Sequence, residues 1–309
     1  MTNSLLPSPL PLPLSLQRWT EAAAQALLQP QGAPPVDFTQ PHGERALAGP
    51  GSVAWRVFKN PVALFVGGVA AVILELAEPR VRSGVWEHSS FRSDPVRRLQ
   101  RTGVAAMVTV YGARSVAERM IAGVVRRHEA IAGETPAGEA YRANDAVLLT
   151  WVQATACFGF AEAYSRYVSP LSAEEFDQLL AEGLPAARLY GALDAPGSRA
   201  ELGALFAFMQ DRLEPSPVVF EFLCIMRDAP IFPAPMRPLQ RMLVRAAVDI
   251  TPGWVRDRLG LPEAYGLCGW ERLLVRRLGR LSDAIMLRSG PAVQSCLRLG
   301  LPADYLYRS

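Results

Sequence analysis

Histidine, lysine and cysteine are scarce in this 309-residue chain, and each scarcity excludes a class of chemistry. There are three histidines, His42, His88 and His128, and one lysine, Lys59. No H-E-x-x-H occurs, and His128 stands 40 residues from the nearest other histidine, His88. A zinc site assembled from three or four closely spaced ligands therefore has no basis in the sequence. The four cysteines, Cys157, Cys224, Cys268 and Cys296, are at least 28 residues apart. No C-x-x-C metal or redox pair exists. Their apolar surroundings predict buried free thiols in a reducing cytoplasm. Charge of one sign is lacking too: 32 basic against 29 acidic residues leave +3. The basic clusters "RRLQR", "VRRH" and "VRRLGR" are short and embedded in apolar patterns, so no nucleic-acid partner is expected. The longest strongly apolar run, Val62–Leu74, has 13 residues. A membrane span needs about 20, so this run predicts a buried helix and no transmembrane segment. The N-terminal "MTNSLLPSPLPLPLSLQRW" carries four prolines and lacks the charged start of a signal peptide. Its leucines allow loose membrane contact. G-x-S-x-G, P-loop and dinucleotide fingerprints are absent, as is the C-x-x-C-H of covalent haem.

What is present is helical. Residues 1–45 read as an irregular Pro/Leu-rich segment, broken by eight prolines, with room for one short helix between Ser15 and Leu28. Residues 46–309 read as one large helical domain. Asn60-Pro61 opens a helix that Pro79 closes; its Gly67, Gly68, Ala70 and Ala71 form a small-residue face that admits another backbone or a flat ligand. Asp94-Pro95 opens the next. Another runs from about Ala113 to Ala132 with Gly133 as its C-cap. "YRANDAVLLTWVQATACFGFAEAYSRYV" reads as one long apolar helix, and Ser172 with Glu175 forms a capping box for its successor. Three or four more fit between Arg199 and Arg288. Period-two alternation is not evident, so the fold class is all-α.

His128 shares a helix face with Ile121, Val124, Val125 and Ile131, so it points inward. Such a histidine is a hydrogen-bonded core residue, a base or a ligand. Haem brings four nitrogens of its own, so a lone axial histidine suffices for it. Upstream, Arg98 and Thr102 stand one turn apart with Arg101 beside them. They form either a solvated basic face or donors aimed at dioxygen, an oxyanion or a propionate.

Four stretches carry a resemblance: "WRVFKNPVALFVGGVAAVILELAEPRVRSGVWEHSSFRSDPVRRLQRTG", "YGARSVAERMIAGVVRRHEAIAG", "YRANDAVLLTWVQAT" and "MLVRAAVDITPGWVRDRLGLP". Together, over about residues 50–285, they resemble the oxygenase family of the bacterial latex-clearing proteins (rubber oxygenases). The fungal endoplasmic-reticulum oxygenase of mycophenolic acid biosynthesis is in the same family. The resemblance implies a globin-like helical core around one non-covalent haem b. In rubber oxygenases the proximal histidine follows an R-x-x-K-T motif. Here "RLQRT" is followed by His128, 26 residues past Thr102. The resemblance thus makes His128 the iron ligand and places Arg98 and Thr102 on the distal side. Arg101 stands where those enzymes carry a lysine able to ligate iron; an arginine stays protonated and does not. Glu78 and Gln153 replace histidines common in the family. His88, in "EHSSF", matches a family motif, as a helix cap, a propionate contact or a distal group.

The expectation is a cytoplasmic haem b oxidoreductase that acts on a lipophilic small molecule with dioxygen or peroxide. His128 would hold iron, and Arg98, Arg101 and Thr102 would serve the reaction. The alternatives are a non-catalytic haem carrier or gas sensor, and a haem-free helical protein that binds an apolar ligand.

Overall fold

Polar caps and prolines set where each helix begins. The computed structural model describes residues 35–308, together with Pro9, Pro13, Gln17 and Glu21. Most of the expected N-terminal irregular segment, including the helix between Ser15 and Leu28, therefore lies outside the described residues. Residues 35–52 run as turns and extended chain. Helix α1 (Val53–Phe58) starts where Ser52 accepts from the Trp55 amide. In α2 (Pro61–Ala77), the Asn60 side chain accepts from the amides of Val62 and Ala63. Pro61 has no N–H to satisfy, so the two amides left open at this turn are both capped. Glu78 then interrupts the chain and caps α3 (Pro79–His88) through the Val81 amide at 2.8 Å. The bend between α2 and α3 is 113°. Asp94 caps α4 (Pro95–Tyr111), which turns at Gly112 and Ala113 into α5 (Arg114–Glu129).

Helix α5 ends earlier than its sequence pattern suggests. Its C-cap is Ala130, and Gly133, expected to cap it, lies instead in β1 (Ala132–Glu134). This strand pairs antiparallel with β2 (Ala140–Arg142), placing Gly133 opposite Tyr141. A Cβ at Gly133 would fall 2.7 Å from the Tyr141 hydroxyl. Glycine is therefore there for the tyrosine ring rather than for a left-handed cap. A three-residue strand is too short to show alternation, which is why the sequence pattern missed the hairpin.

Asp145 caps the long α6 (Ala146–Tyr167). The Ser172/Glu175 capping box forms at the start of α7 (Ala173–Tyr190). There follow α8 (Arg199–Met209), α9 (Pro217–Asp228), α10 (Arg237–Ile250), α11 (Gly253–Leu259), α12 (Gly269–Asp283) and α13 (Pro291–Arg298). Five helices, not three or four, thus occupy Arg199–Arg288, because short α11 is set off from α10 by Thr251 and Pro252. The all-α reading holds: the hairpin is the one sheet among the described residues.

The core is organised on the crossing of α2 and α6. Added Cβ atoms would meet backbone at 2.7 Å from Gly67 and 2.4 Å from Gly159. The small-residue face of α2 therefore receives another backbone. Trp151 closes the contact by donating from Nε1 to the Leu74 carbonyl at 3.2 Å. Around this pair lies a large cluster that includes Ile73, Leu76, Phe222, Met226 and Val248. A smaller cluster joins Phe38, Trp55, Met107, Val108, Tyr111 and Cys296. Buried Arg298 fastens it, donating to the carbonyls of Phe38, Glu44 and Tyr111 at 2.9, 2.8 and 2.7 Å. By length and hydropathy α6 could cross a membrane; its apolar character is also what its burial against α2 requires. The expectation for the cysteines needs correction. Cys296 is buried and Cys157 half-buried, but Cys224 and Cys268 are exposed. On α9 the buried stripe is Val219, Phe222, Leu223 and Met226, which leaves Cys224 outside it.

Candidate active site

A cavity of about 1040 Å³ opens between the two hydrophobic clusters, at the top of the size range of ligand pockets. Helices α4 and α5 form its long walls. Only two residues join them, so the start of α4 lies opposite the end of α5. Arg98, Arg101 and Thr102 therefore share one end of the cavity with Arg127 and His128, and Met107 and Val108 share the other with Val116 and Met120. At 1.5 Å per residue, Arg98 and Val108 are separated by about 15 Å. The cavity is accordingly polar at one end and apolar at the other. Glu75, in electrostatic reach of Arg98, belongs to the polar end; Arg80, His88, Ser89 and Tyr141 also line the cavity, as do Pro35, Phe38, Leu287, Pro291 and polar Ser289 and Gln294.

All five residues singled out in the sequence, His88, Arg98, Arg101, Thr102 and His128, line this one cavity. His128 is half-buried. Its Nδ1 is sealed from solvent without a hydrogen-bond partner. Desolvation, then the charges of Arg98 and Arg127, lower its pKa. The imidazole is thereby kept neutral, the form that ligates metals. The core-filler reading required a hydrogen-bonded ring, and Nδ1 has none. Arg98 donates to Thr102 Oγ1 at 2.5 Å, and that hydroxyl donates to the Arg98 carbonyl at 3.0 Å. The Arg98 guanidinium lies 5.3 Å from the Phe91 ring centre, and its Nε is buried and unpartnered. Ser89 Oγ is likewise buried and unpartnered. Three cavity-lining residues thus present unpaired polar atoms, an arrangement that native interiors avoid unless something else supplies the partner.

His88 closes the last turn of α3, and its Nε2 is 3.1 Å from the Tyr141 hydroxyl, which also reaches Glu87 at 3.3 Å. The hairpin is thereby held against α3. Glu78 and Gln153 have structural roles: Glu78 is buried as the cap of α3 and pairs with Arg80 at 2.9 Å. Gln153 donates to Cys157 Sγ at 3.3 Å.

Residues 55–284 match the family described as ER-bound oxygenase mpaB/B'/Rubber oxygenase, catalytic domain. The chain belongs to this oxygenase family. No curated protein and no solved structure matches the chain significantly. The matched span includes the cavity residues Glu75, Arg98, Thr102 and His128; Phe38, Leu287 and Pro291 lie outside it.

Glu75 escaped the sequence reading. It is the single charged residue of α2, set in the last turn of an otherwise apolar helix. Desolvation raises its pKa to about 7, against the opposing pull of Arg98. The signal was visible: a lone carboxylate in a helix of the core must be paired, neutral or functional. Arg80 and Tyr141 were also missed, and no spacing rule points to them. Among the described residues no group of three or more His, Cys, Asp or Glu side chains is placed to hold a metal. The donor set here is one half-buried imidazole among arginines. It suits a planar cofactor that brings its own equatorial ligands and carries acidic substituents.

Proposed function

We propose that this oxygenase-family chain is a haem b-dependent oxidoreductase that acts on a lipophilic small molecule with dioxygen or peroxide. One observation carries the reading: a desolvated, neutral His128 with an unpartnered ring nitrogen shares a cavity end with Arg98 and Thr102. His128 would hold the haem iron. Arg101 and Arg127 would supply positive charge for its propionates. When bound, the haem supplies the one-electron and dioxygen chemistry that no side chain here provides.

The remaining steps belong to the protein. Arg98, whose Nε is free, offers N–H donors toward an oxygen atom held in the cavity, and Thr102 fixes the guanidinium by accepting from it. The Arg98 guanidinium is itself desolvated, so its donors are worth more than in solvent, while Thr102 stands exposed beside it. Glu75 exchanges a proton near neutral pH at the same end. The apolar end, with Met107, Val108, Val116 and Met120, seats a hydrocarbon part of the substrate. Arg101 shapes the polar end or binds an acidic group, and His88 keeps Tyr141 and the hairpin in place.

The test is the visible spectrum of the purified protein. The wild type is expected to show a Soret band after haem reconstitution, and His128→Ala to lose it while keeping its far-ultraviolet circular dichroism. Wild-type protein that takes up no haem refutes the proposal. Reversible dioxygen binding with no consumption of any substrate would instead indicate a carrier or sensor.

A further inference from the structure

Helix α12 turns an apolar, basic face to solvent. Trp270, Leu273, Leu274 and Leu281 are 64%, 60%, 38% and 40% exposed. With Arg277 they follow the spacing i, i+3, i+4, i+7, i+11, which is one helix face. Tyr265, 39% exposed, stands on the turn just before. Half of the ten large hydrophobics exposed among the described residues thus fall within 17 positions. Apolar residues scattered singly need no explanation; a cluster does.

The helix itself is firmly seated. Gly279 lies against the Tyr167 carbonyl, 2.3 Å from where a Cβ would sit. Glu271 is buried and pairs with Arg245 at 2.6 Å. Asp283 pairs with Lys59 at 2.9 Å. Both acids of α12 are thereby used on its inner side, and Arg272 is taken by Asp249 at 2.6 Å. Arg277 and Arg280 are exposed and have no ion-pair partner among the described residues. The outward face is therefore tryptophan, leucines and two free arginines.

We infer that this face docks on an anionic lipid surface. An in-plane amphipathic helix with Trp and Leu on its apolar side and Arg beside them is the form that enters the headgroup boundary. Tryptophan favours that depth, and arginine is attracted by anionic headgroups. A second copy of the chain fits less well. A two-fold contact through this face would bring Arg277 and Arg280 toward their own copies, with like charges opposed. The N-terminal segment, residues 1–34, has one arginine and one glutamate. It offers little negative charge to offset the two arginines. From the end of α12 the chain reaches, within four residues, the stretch Leu287–Pro291 that lines the cavity. A docked helix would thus bring the cavity wall toward the bilayer, where lipophilic compounds concentrate. That consequence rests on the proposed function; docking does not.

The experiment is co-sedimentation of full-length protein with vesicles of equal parts phosphatidylglycerol and phosphatidylcholine, and with phosphatidylcholine alone. Wild type is expected to pellet with the anionic vesicles and roughly tenfold less with the neutral ones. The double variants Leu273→Ser/Leu274→Ser and Arg277→Glu/Arg280→Glu are each expected to weaken binding by roughly tenfold or more, with circular dichroism unchanged. Absence of wild-type pelleting, or pelleting indifferent to both variants, overturns the inference. So does a wild-type dimer in sedimentation velocity that the same variants make monomeric. The Soret band of the same samples reports the haem reading independently, so failure of one is not mistaken for failure of the other.

Discussion

Replacing Glu75 by glutamine should make the protein more stable, and increasingly so as pH rises. Glu75 sits in the last turn of α2, where the helix dipole is negative, and its carboxyl is desolvated. Its pKa is raised from an ordinary 4.5 to about 7. Below the ordinary value, folded and unfolded chains both hold the proton and the group contributes nothing. Between that value and about 7 the unfolded chain releases its proton while the folded chain keeps it. Stability therefore falls as pH rises through this window, and the full penalty is present above about 7. The gap, at about 1.4 kcal/mol per pH unit, amounts to roughly 3 kcal/mol. The raised pKa already includes the Arg98 attraction, so a gain of about 3 kcal/mol is expected at about pH 8. Little difference is expected at or below about pH 4.5. Urea unfolding followed by circular dichroism across this range measures it, with equal m values required of the two proteins. A Glu75→Gln advantage that is flat with pH, or that grows toward acid, refutes the argument.

The remaining predictions address the helix crossing and the donor pair. Gly159→Ala places a Cβ 2.4 Å from the Gly67 carbonyl oxygen, so the two central backbones must part by about 1 Å. It should destabilise by about 2–3 kcal/mol despite alanine's better helix propensity. Gly203→Ala, at an exposed position of α8 with nothing within 4 Å, should stabilise by about 0.5–1 kcal/mol. Thermal unfolding of the pair decides whether the crossing or the propensity governs. Arg98→Ala is expected to retain haem absorbance but lose turnover by roughly a hundredfold. Unchanged kinetics would remove Arg98 from the chemistry.

Where helix signals are local, the sequence showed them plainly. Asn60, Asp94 and Ser172 cap because their short side chains reach amides two or three residues on, a contact that needs no tertiary partner. Gly133 misled for the complementary reason. A glycine after a helix normally serves the helix, and only the ring of Tyr141, eight residues on and across a hairpin, made it serve a strand. Glu75 was legible as an oddity in an apolar helix. Its meaning depended on Arg98 and on the cavity, neither of which spacing along one helix reveals.

From the sequence alone came the all-α class, the inward direction of His128, the adjacency of Arg98 and Thr102, and the small-residue face of α2. All are set by the 3.6-residue period and by cap chemistry within a few residues. The tertiary structure alone decided that the α2 face meets the backbone of α6. It alone brought His88, Arg98 and His128 to one cavity with Glu75, and left a tryptophan and three leucines of α12 uncovered. Those outcomes depend on which surfaces bury each other across long sequence separations, and on the void left where two hydrophobic clusters do not close.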